Sequence, residues 1–228
     1  MEFSLHRQLK HLYADPGASI EASLQNYRID VIRNGELIEI QHASLAAIQD
    51  KVGDLVQEDR VLVVKPIVLR KRLVKQDAKR GRVLSRRLSP KRGRAVDLFD
   101  DLVYFTRVFP HPNLSLEAPL IDIEEWRYPG HGRRRWRRRT DEQVEDQKLI
   151  ELHRIISIHN SVDLLQLIPD DLPCPFHTGH LAESMEVPRR TAQRVAYCLE
   201  STGVATRVGK EGNTHLYRLA RESSKSVR

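Results

Sequence analysis

Asn34-Gly35 sits between two alternating runs, Tyr27-Arg-Ile-Asp-Val-Ile-Arg33 and Glu36-Leu-Ile-Glu-Ile-Gln41. Both residues tolerate the positive φ that a two-residue turn between right-twisted strands demands. The turn predicts a hairpin of fixed register, with Arg33 opposite Glu36, Ile32 opposite Leu37, Val31 opposite Ile38 and Asp30 opposite Glu39. Counting by twos puts Ile29, Val31, Ile38 and Ile40 on a core face and Arg28, Asp30, Glu39 and Gln41 on the other. Two carboxylates then stand opposite each other with Cβ atoms roughly 5 Å apart. At an effective dielectric of about 20 they repel by about 3 kcal/mol. A divalent cation on oxygen ligands would compensate; so would Arg28 by a salt bridge, and a solvated acidic face needs neither.

Elements flank the hairpin on both sides. Ser4–Tyr13 spaces Leu5, Leu9 and Leu12 as a helix and is stopped by Asp15-Pro16-Gly17. Ser19–Leu24 reads as a strand carrying Glu21, Ser44–Val56 as a helix and Arg60–Pro66 as a buried strand. A helix between the hairpin and that strand is a crossover, so the sheet is expected to be mixed and the fold α/β. Ile67–Arg94 is expected to be a basic ribbon or loop, Asp97–Val108 a helix, and Leu120–Trp126 the last strand.

Charge is unevenly spread. The formal net charge is +7, yet residues 60–94 carry 14 Lys/Arg against a single acid, Asp77, while residues 1–59 carry 5 against 10. Residues 133–139 hold six arginines around Trp136. Two such blocks point to a polyanion partner. Lys91, Arg92 and Arg94, in Ser-Pro-Lys-Arg-Gly-Arg94, and Arg133, Arg134, Arg135 and Trp136 are the residues expected to grip backbone phosphates or stack a base; the arginine stretch reads equally as a tether. No run of 18 apolar residues occurs, the first residues lack a signal-peptide core, and two cysteines suit a reducing compartment, so a cytoplasmic protein without membrane contact is expected. No spacing of Cys174 or Cys198 with His131, His159 or His177 suits zinc, and neither a Walker loop nor a Gly-x-Ser-x-Gly elbow occurs.

The C-terminal pattern is a helix over Asp163–Ile168, a second capped by Thr178, and a third opened by Pro188. The third buries Ala192, Val195, Ala196 and Leu199 and turns Arg189, Arg190, Gln193, Arg194 and Tyr197 outward; Gly203 closes it. Val204–Val208 and Thr214–Leu219 then pair around Gly209-Lys-Glu-Gly-Asn213. Helix, turn, helix and two-stranded wing make a winged helix. Its expected DNA contacts are Arg189, Arg190, Gln193 and Arg194, with Lys210, Asn213 and His215 from the wing; a protein-interaction winged helix is the other reading.

Residues 4–66 resemble the PD-(D/E)XK nuclease superfamily, closest to competence-type nucleases and Holliday-junction resolvases. The resemblance rests on Glu21, on Asp30 in Arg-Ile-Asp-Val and on Glu39-Ile-Gln41, with Gln41 where many members have lysine. The whole chain also resembles bacterial proteins that join such a domain to Ser-Pro-Lys-Arg-Gly-Arg and a winged helix. The likeness implies a catalytic set of Glu21, Asp30, Glu39 and Gln41, and a magnesium or manganese ion on Asp30, Glu39 and the Ile40 carbonyl. Lys51 or Lys65 would stand in for the missing lysine. The implied fold is an α/β, mixed-sheet, restriction-endonuclease-like domain (residues 1–130, basic ribbon 67–94), an arginine-rich linker (131–143), a winged helix-turn-helix domain (144–220) and a disordered tail (221–228). The implied function is a metal-dependent DNA endonuclease on duplex or branched DNA, as a possible homodimer; the alternative is a non-catalytic winged-helix regulator on a degenerate nuclease fold. RNA is a weaker fit than DNA.

Overall fold

The computed structural model describes residues 3–130 and 142–220. Arg133, Arg134, Arg135, Trp136, most of the expected linker and the expected tail lie outside the described residues. The chain is mixed α/β, with an eight-stranded sheet and a separate two-stranded one. Two compact units form: residues 1–42, 62–94 and 117–156, and residues 43–61, 95–116 and 157–228. These bounds interleave along the chain, unlike the contiguous division the sequence suggests.

In the first unit, helix α1 (Ser4–Tyr13) spans the expected residues. Leu5, Leu9 and Tyr13 are buried in one cluster with Val31, Ile38, Ile40, Leu62, Val64, Ile121 and Ile123. Leu12, expected inward, is exposed, and Lys10 is buried instead. Each leucine so buried is worth about 2 kcal/mol. Strands β1 (Ser19–Leu24), β2 (Tyr27–Arg33) and β3 (Glu36–Ile40) form an antiparallel meander. Asn34 at φ 49 and Gly35 at φ 75 make the tight turn, and the ladder pairs Arg33 with Glu36, Ile32 with Leu37 and Val31 with Ile38. Three of the four expected pairs are therefore present, and the core face is the expected one.

Strand β4 (Arg60–Val64) lies beside β3, then β7 (Leu114–Pro129), β5 (Ile67–Gln76) and, at the edge, β6 (Val83–Leu88). β5 runs parallel to β7 and antiparallel to β6, so the sheet is mixed and the basic ribbon is a pair of strands within it. Strand β8 (Glu142–Ile158) also pairs with β7. It was not expected: the sequence divides there between linker and winged helix, and Leu120–Trp126 is not the last strand. Its alternate residues are mostly charged and half-exposed, so it lacks the apolar alternation that marks a strand.

The second unit holds α2 (Gln49–Leu55), α3 (Leu98–Leu102), α4 (Thr178–Ser184), α5 (Arg189–Ser201) and the antiparallel pair β9 (Ala205–Glu211) and β10 (Thr214–Leu219). Asp97–Val108, expected as one helix, is a short 3-10 turn, the five residues of α3 and further turns. Leu98, Phe99, Leu102 and Phe105 from this stretch are buried, as are Ala192, Val195, Ala196, Cys198 and Leu199 of α5. Gly203 at φ 78 ends α5, its amide donating to the Glu200 carbonyl at 3.1 Å. Pro188 is the residue before α5 rather than its first.

His177, not Thr178, caps α4. Its Nδ1 accepts from the Gly179 amide at 3.0 Å and the His180 amide at 3.1 Å. The His180 Nδ1 in turn accepts from the His177 amide at 3.3 Å, and the two rings stack 3.6 Å apart. An imidazole Nδ1 reaches the first-turn amides as an Asn oxygen does, a substitution that a scan for Ser, Thr, Asp and Asn overlooks.

Candidate functional site

Each unit carries one candidate site. In the first unit the register sets Glu21, Asp30 and Glu39 at successive positions across β1, β2 and β3, but no ladder pair forms at this row. β1 and β2 pair at Ile20 with Val31 and Ala22 with Ile29, skipping Glu21 and Asp30, and the β2–β3 ladder stops at Val31 with Ile38. Glu21 adopts φ 56, a left-handed conformation unusual for glutamate. The Ile40 amide donates to Asp30 Oδ2 at 2.9 Å, so a side chain receives a bond that a regular ladder would give to a strand carbonyl.

The acids of this row meet cations. Asp30 Oδ1 lies 3.0 Å from His6 Nε2 and 3.3 Å from Lys10 Nζ. The same Lys10 ammonium donates to Glu21 Oε1 at 2.7 Å, and Arg28 pairs with Glu21 Oε2. Lys10 is only 4% exposed and Glu39 only 5%. Burial alone would push the Asp30 carboxyl up; the His6 and Ile40 hydrogen bonds and the Lys10 charge together hold it below its ordinary value. Lys10 first, then Arg28, holds the Glu21 carboxyl down as well.

The expected magnesium or manganese does not fit this arrangement. Both Asp30 oxygens already accept from N–H donors, and an ammonium stands where a divalent ion would need room and would be repelled. Gln41 follows β3, its amide donating to the Val64 carbonyl at 2.9 Å. Lys65, the stand-in for the missing lysine, is buried with Nζ 3.2 Å from the His42 carbonyl; Lys51 is half-buried in α2. Among the described residues, the acidic and histidine side chains whose ligand atoms gather within 4.8 Å of one another are Asp122, Glu151 and His153, not the row. Within that group His153 Nε2 lies 3.1 Å from Asp122 Oδ1 and its Nδ1 3.6 Å from Glu151 Oε1.

The residues that sequence reasoning missed here are His6 and Lys10. Their i, i+4 spacing on α1, with Lys10 next to Leu9 on the inward stripe, was the available signal.

In the second unit, α5 and the β9–β10 pair enclose a cleft of about 240 Å³ whose lining includes Arg189, Gln193, Tyr197, Arg207, Asn213 and His215. Four of the expected DNA contacts therefore converge, Arg189 and Gln193 from the helix, Asn213 from the turn between β9 and β10, and His215 from β10. Tyr197 continues the row Arg189, Gln193, Tyr197 at i, i+4, i+8 and is 47% exposed. Arg207, not expected, is held by Glu200 at 2.9 Å. Arg190 and Lys210 are exposed outside the cleft lining. Arg194 departs from expectation: it pairs with Asp100, beside which Cys198 Sγ meets the Phe99 carbonyl at 3.9 Å. Four residues after Arg190 and one before Val195, it sits where the helix turns from its open face toward its buried one. Lys91, Arg92 and Arg94 are exposed and belong to the first unit.

No helix among the described residues is long and apolar enough to cross a membrane. The chain is similar, at 29% identity over 222 residues, to a Treponema pallidum (strain Nichols) protein described as uncharacterized; the match takes in 95% of this chain and 85% of that one. No solved structure matches the chain. The family described as "Domain of unknown function (DUF8091)" matches residues 3–159, which span α1 to the end of β8 and more than half of the sequence. The chain belongs to the DUF8091 family.

Proposed function

We propose that this protein binds duplex DNA through α5 and the β9–β10 pair, used as a winged helix, and that the first unit is a nuclease-like scaffold without hydrolytic activity. The observation that carries the reading is the convergence of Arg189, Gln193, Asn213 and His215 on one cleft that Tyr197 also lines, with Arg190 exposed outside it. Arg189 and Gln193, near the start of α5, have the bidentate donors and acceptors that read guanine and adenine edges in the major groove. Asn213, His215 and Lys210 are suited to the sugar-phosphate backbone, which fixes register but carries no sequence information. The 14 Lys/Arg of residues 60–94 add charge that accelerates association and deepens salt dependence. The non-catalytic half of the reading is supported by the bonds already made to both oxygens of Asp30.

The test is fluorescence anisotropy of labelled duplex DNA against the whole protein across a salt series. Arg189→Ala with Arg190→Ala should weaken binding, and should flatten the salt slope by about one for each of the two arginines that neutralises a phosphate. Unchanged affinity and slope would remove α5 from DNA and leave a protein-interaction module. In parallel, single-stranded, duplex and four-way-junction DNA should stay intact with magnesium or manganese. Cleavage lost in an Asp30→Ala, Glu39→Ala protein would instead restore the endonuclease reading.

A further inference from the structure

We propose that the Lys10 ammonium is the resident cation of the acidic row, and that it closes the row to divalent metal. Three carboxylates brought to one register line in a largely buried place need positive charge, because like charges there repel by about 3 kcal/mol per close pair. In this chain the charge is built in. Lys10 Nζ lies 2.7 Å from Glu21 and 3.3 Å from Asp30, bridging two of the three acids from a position only 4% exposed. His6, one turn earlier on α1, takes the same Asp30 oxygen at 3.0 Å, and the Ile40 amide takes the other at 2.9 Å.

The local backbone is arranged around this contact. Glu21 is left-handed, and the ladder opens on both sides of Asp30, so the Glu21 and Asp30 carboxylates end on α1 rather than in a regular cross-strand pair. Leu5 and Leu9 anchor α1 in the shared core, so the ammonium is delivered by the element that also covers the sheet. A metal could enter only by displacing a buried lysine, which would then be desolvated without its partners. The inference goes beyond DNA binding: it concerns the first unit alone and stands or falls separately from the role of α5.

The experiment uses the full chain and Mn2+ as the probe. Wild-type protein should show no Mn2+-dependent rise in Tm that Asp30→Asn removes, and no paramagnetic broadening of the Ile40 amide resonance. Lys10→Met should melt earlier than wild type; Mn2+ should raise its Tm and broaden the Ile40 amide, and adding Asp30→Asn should abolish both effects. Lys10→Arg keeps the charge and should ignore Mn2+ as wild type does. Broadening of Ile40 in the wild type overturns the proposal, since the row would then be open. So does a Lys10→Met protein that gains nothing from Mn2+, including one that stays unfolded in its presence, because the metal then cannot take the ammonium's seat.

Discussion

His42 should make this protein acid-sensitive well above the carboxylate range. Burial is the main cause that lowers its pKa, to about 4, and the Lys65, His6 and Lys71 charges lower it further, with Glu125 opposing them. In the unfolded chain the imidazole titrates near its ordinary value of 6.5. The folded pKa lies below the unfolded one, so the unfolded state binds more protons between them. Stability is then fully present above pH 6.5 and is lost as pH falls toward 4. Integrating across that window at 1.36 kcal/mol per unit gives a loss of about 3 kcal/mol by pH 4, a sizeable part of a typical folding free energy. The Asp30, Glu21 and Glu125 carboxyls, all held below their ordinary values of 3.8 and 4.5, add their losses from about those pH values downward, at the acid end of this window and below it. Urea unfolding at half-unit pH steps should show a steep fall in midpoint for wild type and a shallow one for His42→Gln. The Lys65 bond to the His42 carbonyl survives that substitution because it is made to the main chain. Equal pH slopes for the two proteins, or a His42 ring that titrates near 6.5 by NMR in the folded state, would refute the argument.

Other outcomes follow from single contacts. His177→Ala should cost about 1 kcal/mol in thermal or urea unfolding by removing the acceptor for two first-turn amides, and His177→Asn should recover most of it. Gly179→Ala, favourable by helix propensity, should destabilise instead, because its Cβ would lie 2.6 Å from His177 Cε1 in a ring already stacked on His180. Gly35→Val should cost more than 1 kcal/mol, since a β-branched residue must then hold φ 75 in the hairpin turn. Arg194→Ala should weaken duplex DNA binding less than Arg189→Ala does, because its guanidinium is engaged by Asp100; an equal loss in anisotropy would show that Arg194 leaves Asp100 for DNA.

Local chemistry made much of the fold legible. The Asn34-Gly35 turn needs positive φ at two successive positions, and Asn34-Gly35 is the pair in residues 27–41 best suited to it, so register and core face could be counted from that point. Helix α5 was legible because Ala192, Val195, Ala196 and Leu199 repeat at helical spacing and Gly203 stops it. β8 was hidden for the opposite reason. It pairs with β7, the strand just before it in the chain, and a half-exposed strand carrying Glu142, Glu145, Asp146 and Lys148 needs no strong alternation to stay paired. The two units interleave along the chain because β4, β7 and β8 each cross a unit boundary within one continuous strand.

The acidic row shows where sequence reasoning stops and why. Alternation and register predict that Asp30 faces Glu39 and so needs positive charge, an electrostatic inference independent of any family; the structure forms no such ladder pair, and the cations meet Asp30 and Glu21. What alternation and register cannot supply is the identity of the cation, because that depends on which helix is laid against the sheet and at which rotation. A turn of α1 by one residue would present Arg7 or His11 in place of Lys10. The packing of Leu5 and Leu9 sets that rotation, and with it the fate of the row. An apolar contact thus decides an electrostatic outcome: with alanine at position 10, Glu21 and Asp30 would lose the ammonium that bridges them under this helix.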